Sequence, residues 1–402
     1  MSSGSKRLNV KHTLYASYIG YIVQAISINF APLLFLTFQR EYGITLEMVT
    51  LLVSVNFVIQ FLIDGLSTVF IDKIGFRTAA VAAHMMAAFG LSALAWLPAA
   101  MAPDSYAGLL IATIFYAVGG GLTEVVISPI VEAAPTERKA SAMSLLHSFY
   151  SWGQALVVIG SVVFFKLAGI ENWRILAVIW SLIPLFNAFY FMLVPIYELG
   201  GDEKPAGIRK LFGMRYFWIM LILMFGSGAA EQAISQWASA FAEASLGVSK
   251  AVGDIAGPCA FAILMGSSRV FYAKFGAKIK LSRFMAVSAV ICLIGYVMAA
   301  LSPVPAAGLL SCAVCGLAVG IMWPGTYNLA AGGIRNGGAG MFAILALAGD
   351  AGCTLGPTAV GVVSGIFGDD IKKGLLAATV FPIAIIIGLI MYGRYRAKQN
   401  IK

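Results

Sequence analysis

"FWIMLILMFGSGAAEQAISQWASAFAEASLGV", residues 217–248, contains Glu231 and Glu243 and no basic residue. The run exceeds the roughly 20 residues that a helix needs to cross a hydrocarbon core of about 30 Å. Similar runs recur along the whole 402-residue chain, which is 60% hydrophobic and only 11% charged. With a mean hydropathy of +0.89, the chain is no water-soluble globular domain but an integral membrane protein. An outer-membrane barrel is excluded as well, because its strands would alternate at every second residue.

Twelve spans follow, near 13–38, 46–70, 77–100, 106–130, 142–167, 173–196, 215–241, 250–272, 283–302, 305–329, 340–366 and 373–393. An even number puts both termini on one side. About 21 of the 27 Lys and Arg fall on that side and about 6 on the other, so the positive-inside rule places both termini in the cytoplasm. The expected location is the inner, cytoplasmic membrane. The net charge of +9 then belongs to topology and calls for no nucleic-acid partner. The N-terminal "MSSGSKRLNVKHTL" is polar and basic, and the apolar segment after it is too long for a signal-peptide core, so the first span is expected to be retained. All five cysteines lie in apolar segments, and "GLLSCAVCGLAVG" around Cys312 and Cys315 lacks the polar surroundings of a metal or redox site. They read as packing thiols.

Near the midpoint, "YELGGDEKPAGIRKLFGMR" is the longest charged connection. It divides the chain into 1–197, a cytoplasmic linker 198–214, and 215–402. The halves echo each other: "VQAISINFA" at 23–31 in the first span matches "EQAISQWAS" at 231–239 in the seventh. The expected fold is all-α, with twelve transmembrane helices as two six-helix bundles related by pseudo-two-fold symmetry, an arrangement transporters use with a site between repeats.

An ionisable group in mid-membrane costs at least ~2.5 kcal/mol on insertion scales, so each is a functional candidate. Four acids stand at such depth: Asp64, Glu124, Glu231 and Asp350. Lys166 and Arg269 lie near span ends, so no cation is expected beside these acids. A carboxylate in such surroundings can bind and release a proton, which points to proton coupling with Na+ as the other possible ion. A lack of buried bases also argues against an anionic substrate.

Helical spacing groups further polar residues with the acids. Asn56, Gln60 and Asp64 recur every fourth residue in the second span, as do Tyr116, Gly120, Glu124 and Ser128 in the fourth. "HSFYSWGQ" puts His147, Tyr150, Ser151 and Gln154 on one face of the fifth. The seventh contributes Glu231, Gln232, Ser235, Gln236 and Trp237; the tenth Trp323, Tyr327 and Asn328; the eleventh Asp350 and Thr354. With Gln24 and Asn29 of the first span and Trp152 of the fifth, these would wall a wet cavity. The structural alternative for Asp64 is an ion pair with a loop base such as Arg138. Prolines inside spans, including Pro32, Pro258, Pro324 and Pro357, would allow bending.

The turn "VFIDKIGFRTA" resembles the signature loop of the major facilitator superfamily, with Thr68 where the leading glycine is expected. That resemblance implies the major facilitator fold and a cytoplasmic gate at Asp72, Lys73 and Arg77. The corresponding turn after the eighth span, "GSSRVFYAKFGAKI", keeps Arg269 but has no aspartate, and Arg269 and Arg138 complete the expected gate. "GGGLTEVVISPIVE", "HSFYSWGQ" and "GIMWPG" are similar to segments of the fucose and glucose/galactose permease group. The likeness implies a sugar:proton symporter in which Glu124 exchanges the proton. Fucose permeases carry a second acid in the first span, where this chain has Asn29 and Pro32. "GCTLGPTAVG", 352–361, is similar to a glycine-proline motif of drug antiporters but lies in the eleventh span, where it reads as a packing and bending element.

The expected activity is therefore secondary transport by alternating access, with import of a small neutral polyhydroxy solute by a monomer needing no cofactor beyond the coupling ion. Aromatic faces at Trp152, Trp237 and Trp323 would stack on a sugar ring while Gln24, Asn56, Gln154, Gln232 and Asn328 bond its hydroxyls. Proton-driven export of lipophilic cations and a non-transporting solute receptor remain the alternatives. An enzyme is not expected, since His12, His84 and His147 are scattered and no nucleophile stands beside a base.

Overall fold

The structure, a computed structural model, describes residues 8–136, 139–197, 208–334 and 338–399. Arg138 and residues 198–207 of the expected linker lie outside the described residues, as do the side chains of 67–70, 72, 132, 139–144, 208, 273, 277, 338–340, 342–343 and 399. Among the described residues every regular element is helical, as a chain must be where no water can satisfy its backbone.

Twelve helical runs are long and apolar enough to cross a membrane: Val10–Tyr42, Leu46–Leu66, Phe76–Ala100, Ser105–Val131, Leu145–Ala168, Ile170–Leu193, Arg215–Ser245, Lys250–Tyr272, Leu281–Leu301, Pro305–Gly333, Ile344–Ile366 and Ile371–Lys398. They fall where the sequence places them. The first continues beyond its apolar part through the polar helix Phe35–Tyr42 and stops at Gly43, whose φ of 64° few other residues would adopt.

Several spans are discontinuous. The first is helical over Val10–Asn29, turns at Phe30, tightens to a 3-10 segment at Ala31–Leu34 and resumes at Phe35. Pro32 withholds the N–H that the carbonyl of Ile28 would accept in a regular helix. The seventh runs from Arg215 to Ser235, turns at Gln236 and Trp237, and continues through Ala238–Ala240 into a π-helical turn at Phe241–Ser245. The seventh-span break follows directly on the repeated Gln-Ala-Ile-Ser, and the first-span break comes two helical residues after it. The tenth span breaks too, between Pro305–Val319 and Met322–Gly333.

The described chain forms two compact units: Met1–Phe30, Leu62–Val157 and Val163–Gly201 in one, Ala31–Phe61, Val158–Val162 and Asp202–Lys402 in the other. In the first unit the third and fourth spans pack on small residues. A buried polar tie also joins three spans: Asn187 Nδ2 bonds Ala16 O at 3.0 Å and His84 Nε2 at 2.8 Å, while His84 Nδ1 bonds Ala80 O at 2.7 Å. This pattern fixes one tautomer, with Nδ1–H donating and Nε2 accepting. Asn187→Leu removes that donor from a fully buried imidazole. It is expected to cost about 1–3 kcal/mol of stability, read as a lowered melting temperature of the purified protein.

In the second unit the seventh and eleventh spans approach backbone to backbone, since a Cβ at Gly352 would stand 2.1 Å from Phe225 O and one at Gly356 2.4 Å from Ala229 O. "GCTLGPTAVG" is thus a packing element, as read from sequence. Cys259, Cys292, Cys312 and Cys315 are buried and Cys353 is half-buried, and none of the five forms a disulfide.

Candidate functional site

Each unit carries its own set of converging polar groups. In the first, Gln24 Nε2 donates to Glu124 Oε2 at 2.6 Å, joining the first span to the fourth. Carboxylate oxygens of Asp64 and Glu124 lie within 4.8 Å of each other. One turn away, Tyr21 Oη and Ser128 Oγ are 2.9 Å apart, and the Tyr21 ring stands edge-on to His147 at 5.2 Å. Gln24 Oε1 and Ser27 Oγ are buried on the same helix, and neither has a hydrogen-bond partner among the described residues. Buried polar atoms left without partners call for an explanation, and a ligand hydroxyl is one.

Other residues of the first unit are placed differently from expectation. Asn29 Nδ2 bonds Ala25 O at 2.9 Å, so its amide closes its own last turn. Gln154 and Ser151 are buried, whereas His147 is exposed. Trp152 does not share their face: it is exposed with Leu145, Leu156, Ile159 and Val163, an apolar stripe on the opposite side of the helix. That stripe suits lipid and corrects the stacking role expected of Trp152. At the expected gate, Lys73 is exposed and Arg77 donates to the carbonyls of Phe191 and Met192 at 2.8 and 2.9 Å. Arg77 thereby caps the end of the sixth span, where the helix dipole favours a cation. The Asp72 side chain and Arg138 lie outside the described residues.

The second unit holds the rest. Asn56 and Gln60 are buried and bonded to each other at 3.1 Å. Gln236 Nε2 donates to Gln232 Oε1 at 3.1 Å, and Gln232 Nε2 reaches Glu231 Oε1 at 3.4 Å. Trp323 and Tyr327 meet edge-on at 6.3 Å, both half-buried, and Asn328 is exposed. Asp350 is buried, and its carbonyl accepts from Thr354. Trp237 is fully buried, with Nε1 donating to Pro357 O at 2.9 Å and its ring tilted against Phe35. It is a packing group with a satisfied indole, not an open platform.

Two features were not expected. Arg269 reaches inward from the eighth span, and its Nη2 lies 3.7 Å from Glu231 Oε2. A long side chain lets a base near a span end serve an acid deeper in the bundle, so the expectation of no cation beside these acids fails for Glu231. The second is Asp254, fully buried, ion-paired with Lys250 at 3.1 Å and accepting from Ser239. The i,i+4 spacing of "KAVGD" inside an apolar run is the signal that could have found it.

A family model of the Major Facilitator Superfamily matches residues 17–357. No curated protein matches the chain in sequence. Among solved structures, the E. coli fucose:proton symporter is similar at 16% identity over 95% of this chain and 98% of that one, with a TM-score of 0.64. A D-xylose–proton symporter is similar at 13% identity over 95% and 96%, with a TM-score of 0.77. A nucleoside transporter matches at 12% identity over 95% and 99%, with a TM-score of 0.72. With twelve membrane-length helices and a family match over most of its length, the chain belongs to the Major Facilitator Superfamily and is a membrane transporter of that fold.

Proposed function

We propose that the chain imports a small neutral polyhydroxy solute together with protons, by alternating access, across the cytoplasmic membrane with both termini in the cytoplasm. The moving parts are the bundles 1–197 and 215–402 joined by the linker 198–214. The observation that carries this reading is the set Gln24, Asp64 and Glu124, the first two buried and Glu124 half-buried. Two carboxylates within 4.8 Å repel by about 3 kcal/mol at an effective dielectric of 20, which favours one negative charge on the pair. That repulsion makes the pair the carrier we assign to the coupled proton. Gln24 would couple the pair to solute: its Nε2 is bound to Glu124, while Oε1 and Ser27 Oγ, buried without hydrogen-bond partners among the described residues, would take solute hydroxyls.

Fold likeness to fucose and D-xylose symporters is consistent with this reading, but a nucleoside transporter shares the fold as well. What favours a neutral polyol is the chemistry of the groups: amides, hydroxyls and aromatic edges around carboxylates. For the cycle to do work, the solute must bind more tightly to one state than to the other.

The test uses purified protein in liposomes loaded with a pH-sensitive dye, with L-fucose, D-xylose, other sugars, polyols and nucleosides added one at a time. Internal acidification driven by one sugar or polyol, and lost in Glu124→Gln, is the expected result. Acidification by none of them in wild type, with extrusion of a lipophilic cationic dye instead, would replace this reading with export.

A further inference from the structure

The tenth span contains a carbonyl that its own helix does not serve. In a continuous helix Gly320 O would accept from the N–H of residue 324, but that residue is Pro324, which has none. Helix Pro305–Val319 ends at this point and a new one begins at Met322. Arg269 of the eighth span fills the gap, its Nε donating to Gly320 O at 3.1 Å. Backbone proximity makes this reach possible, since a Cβ at Gly320 would stand 2.6 Å from Met265 O, one turn before Arg269.

The same guanidinium faces Glu231 of the seventh span at 3.7 Å. The side chains of Arg269 and Glu231 are 17% and 10% exposed, so the pair is largely out of water and neither charge is easily left alone. Immediately beyond the break stands Trp323, packed against Gly349, with Tyr327 edge-on to it one turn later. One planar group thus holds both the acid of the seventh span and the start of the segment that presents Trp323 and Tyr327.

We propose that Arg269 is a positioning residue of the second unit: it caps the carbonyl that Pro324 orphans, sets the orientation of the Trp323–Tyr327 segment, and fixes Glu231 against it. The solute-binding part of this statement rests on the transport reading above. Lysine is no substitute, because a point charge cannot place one nitrogen on a carbonyl and another toward a carboxylate in a fixed fork.

Three variants test it: Arg269→Lys, Pro324→Ala and the double Arg269→Lys/Pro324→Ala. Hydrogen–deuterium exchange of the full-length protein over residues 316–328 needs no ligand. Arg269→Lys is expected to raise exchange there by about tenfold, the effect of one unsatisfied buried carbonyl. Pro324→Ala restores an N–H four residues after Gly320, so the double variant is expected to return to within about twofold of Pro324→Ala alone. Wild-type exchange in Arg269→Lys, or no rescue in the double, overturns the proposal. In liposomes, with L-fucose and D-xylose as probes, Arg269→Lys is expected to raise KM with a smaller change in maximal rate, and the double variant to bring KM back. A raised KM that Pro324→Ala leaves unrescued would reduce Arg269 to a charge partner of Glu231. Should neither sugar be transported by wild type, the transport reading fails on that result, while the exchange data still decide the role of Arg269.

Discussion

Gln24→Leu is expected to lower solute-driven proton uptake by about 10- to 100-fold, from loss of a hydrogen bond to a charged group worth about 1.5–3 kcal/mol. Gln232→Leu is expected to lower it less than about tenfold. The sequence presents these two glutamines as equivalents, each opening the repeated Gln-Ala-Ile-Ser. Their surroundings are unequal. Gln24 Nε2 stands 2.6 Å from Glu124, which has a second carboxylate within 4.8 Å; Gln232 Nε2 stands 3.4 Å from Glu231, beyond ordinary hydrogen-bond length. Glu231 has Arg269 to answer its charge, so the amide matters less there. The liposome assay for both variants, with melting temperatures as a control for folding, checks the difference. Because Gln24 acts through Glu124, adding Gln24→Leu to Glu124→Gln should change little further. Equal losses in the two single variants, or a larger one for Gln232→Leu, would move the coupling site to the second unit.

The contrast between those glutamines also marks what a sequence can say here. Span number and position were legible because hydrocarbon demands long apolar helices, and no tertiary detail overrides that demand. The first-span and seventh-span repeat was legible as well; the seventh-span copy lies directly before a helix break and the first-span copy two residues short of one. Pro32 accounts for the first break by chemistry alone; the break at Gln236 and Trp237 has no proline to announce it. Acids could be located from composition, but not their partners. Arg269 lies 38 residues from Glu231 in the chain, and their meeting depends on the reach of one side chain across two helices. Trp152 shows the opposite failure. The polar stripe His147, Tyr150, Ser151 and Gln154 already placed Trp152 on the other face, so helical period alone excluded it from the site.

A protein carrying Ser54→Cys and Thr358→Cys is expected to lose all solute flux on oxidation and to regain it on reduction. In the second unit the Ala31–Phe61 stretch of the first two spans is fastened to the seventh, eighth and eleventh. Ser54 Oγ and Thr358 Oγ1 are 2.7 Å apart, which puts their Cβ atoms near the about 4 Å that a disulfide spans. Beside them Thr50 fills the space against Gly361, and toward the chain end of the first span Lys250 Nζ donates to Leu33 O while Phe35 lies on Trp237. A carrier that alternates must part these segments once per cycle, and a covalent bond between them forbids it. The non-covalent fastenings are unequal. Arg40 is 69% exposed, so its ion pair with Glu243 is worth ~0–1 kcal/mol, and Arg40→Ala should leave flux within about twofold. Lys250 answers a fully buried Asp254, and removing one partner of such a pair costs about 3–5 kcal/mol, so Lys250→Met should weaken the fastening far more. Oxidised wild type is the control, since its own cysteines are buried or half-buried. Undiminished flux in a fully cross-linked double variant would mean that these helices stay together throughout the cycle, and access at this end would have to arise from some other movement.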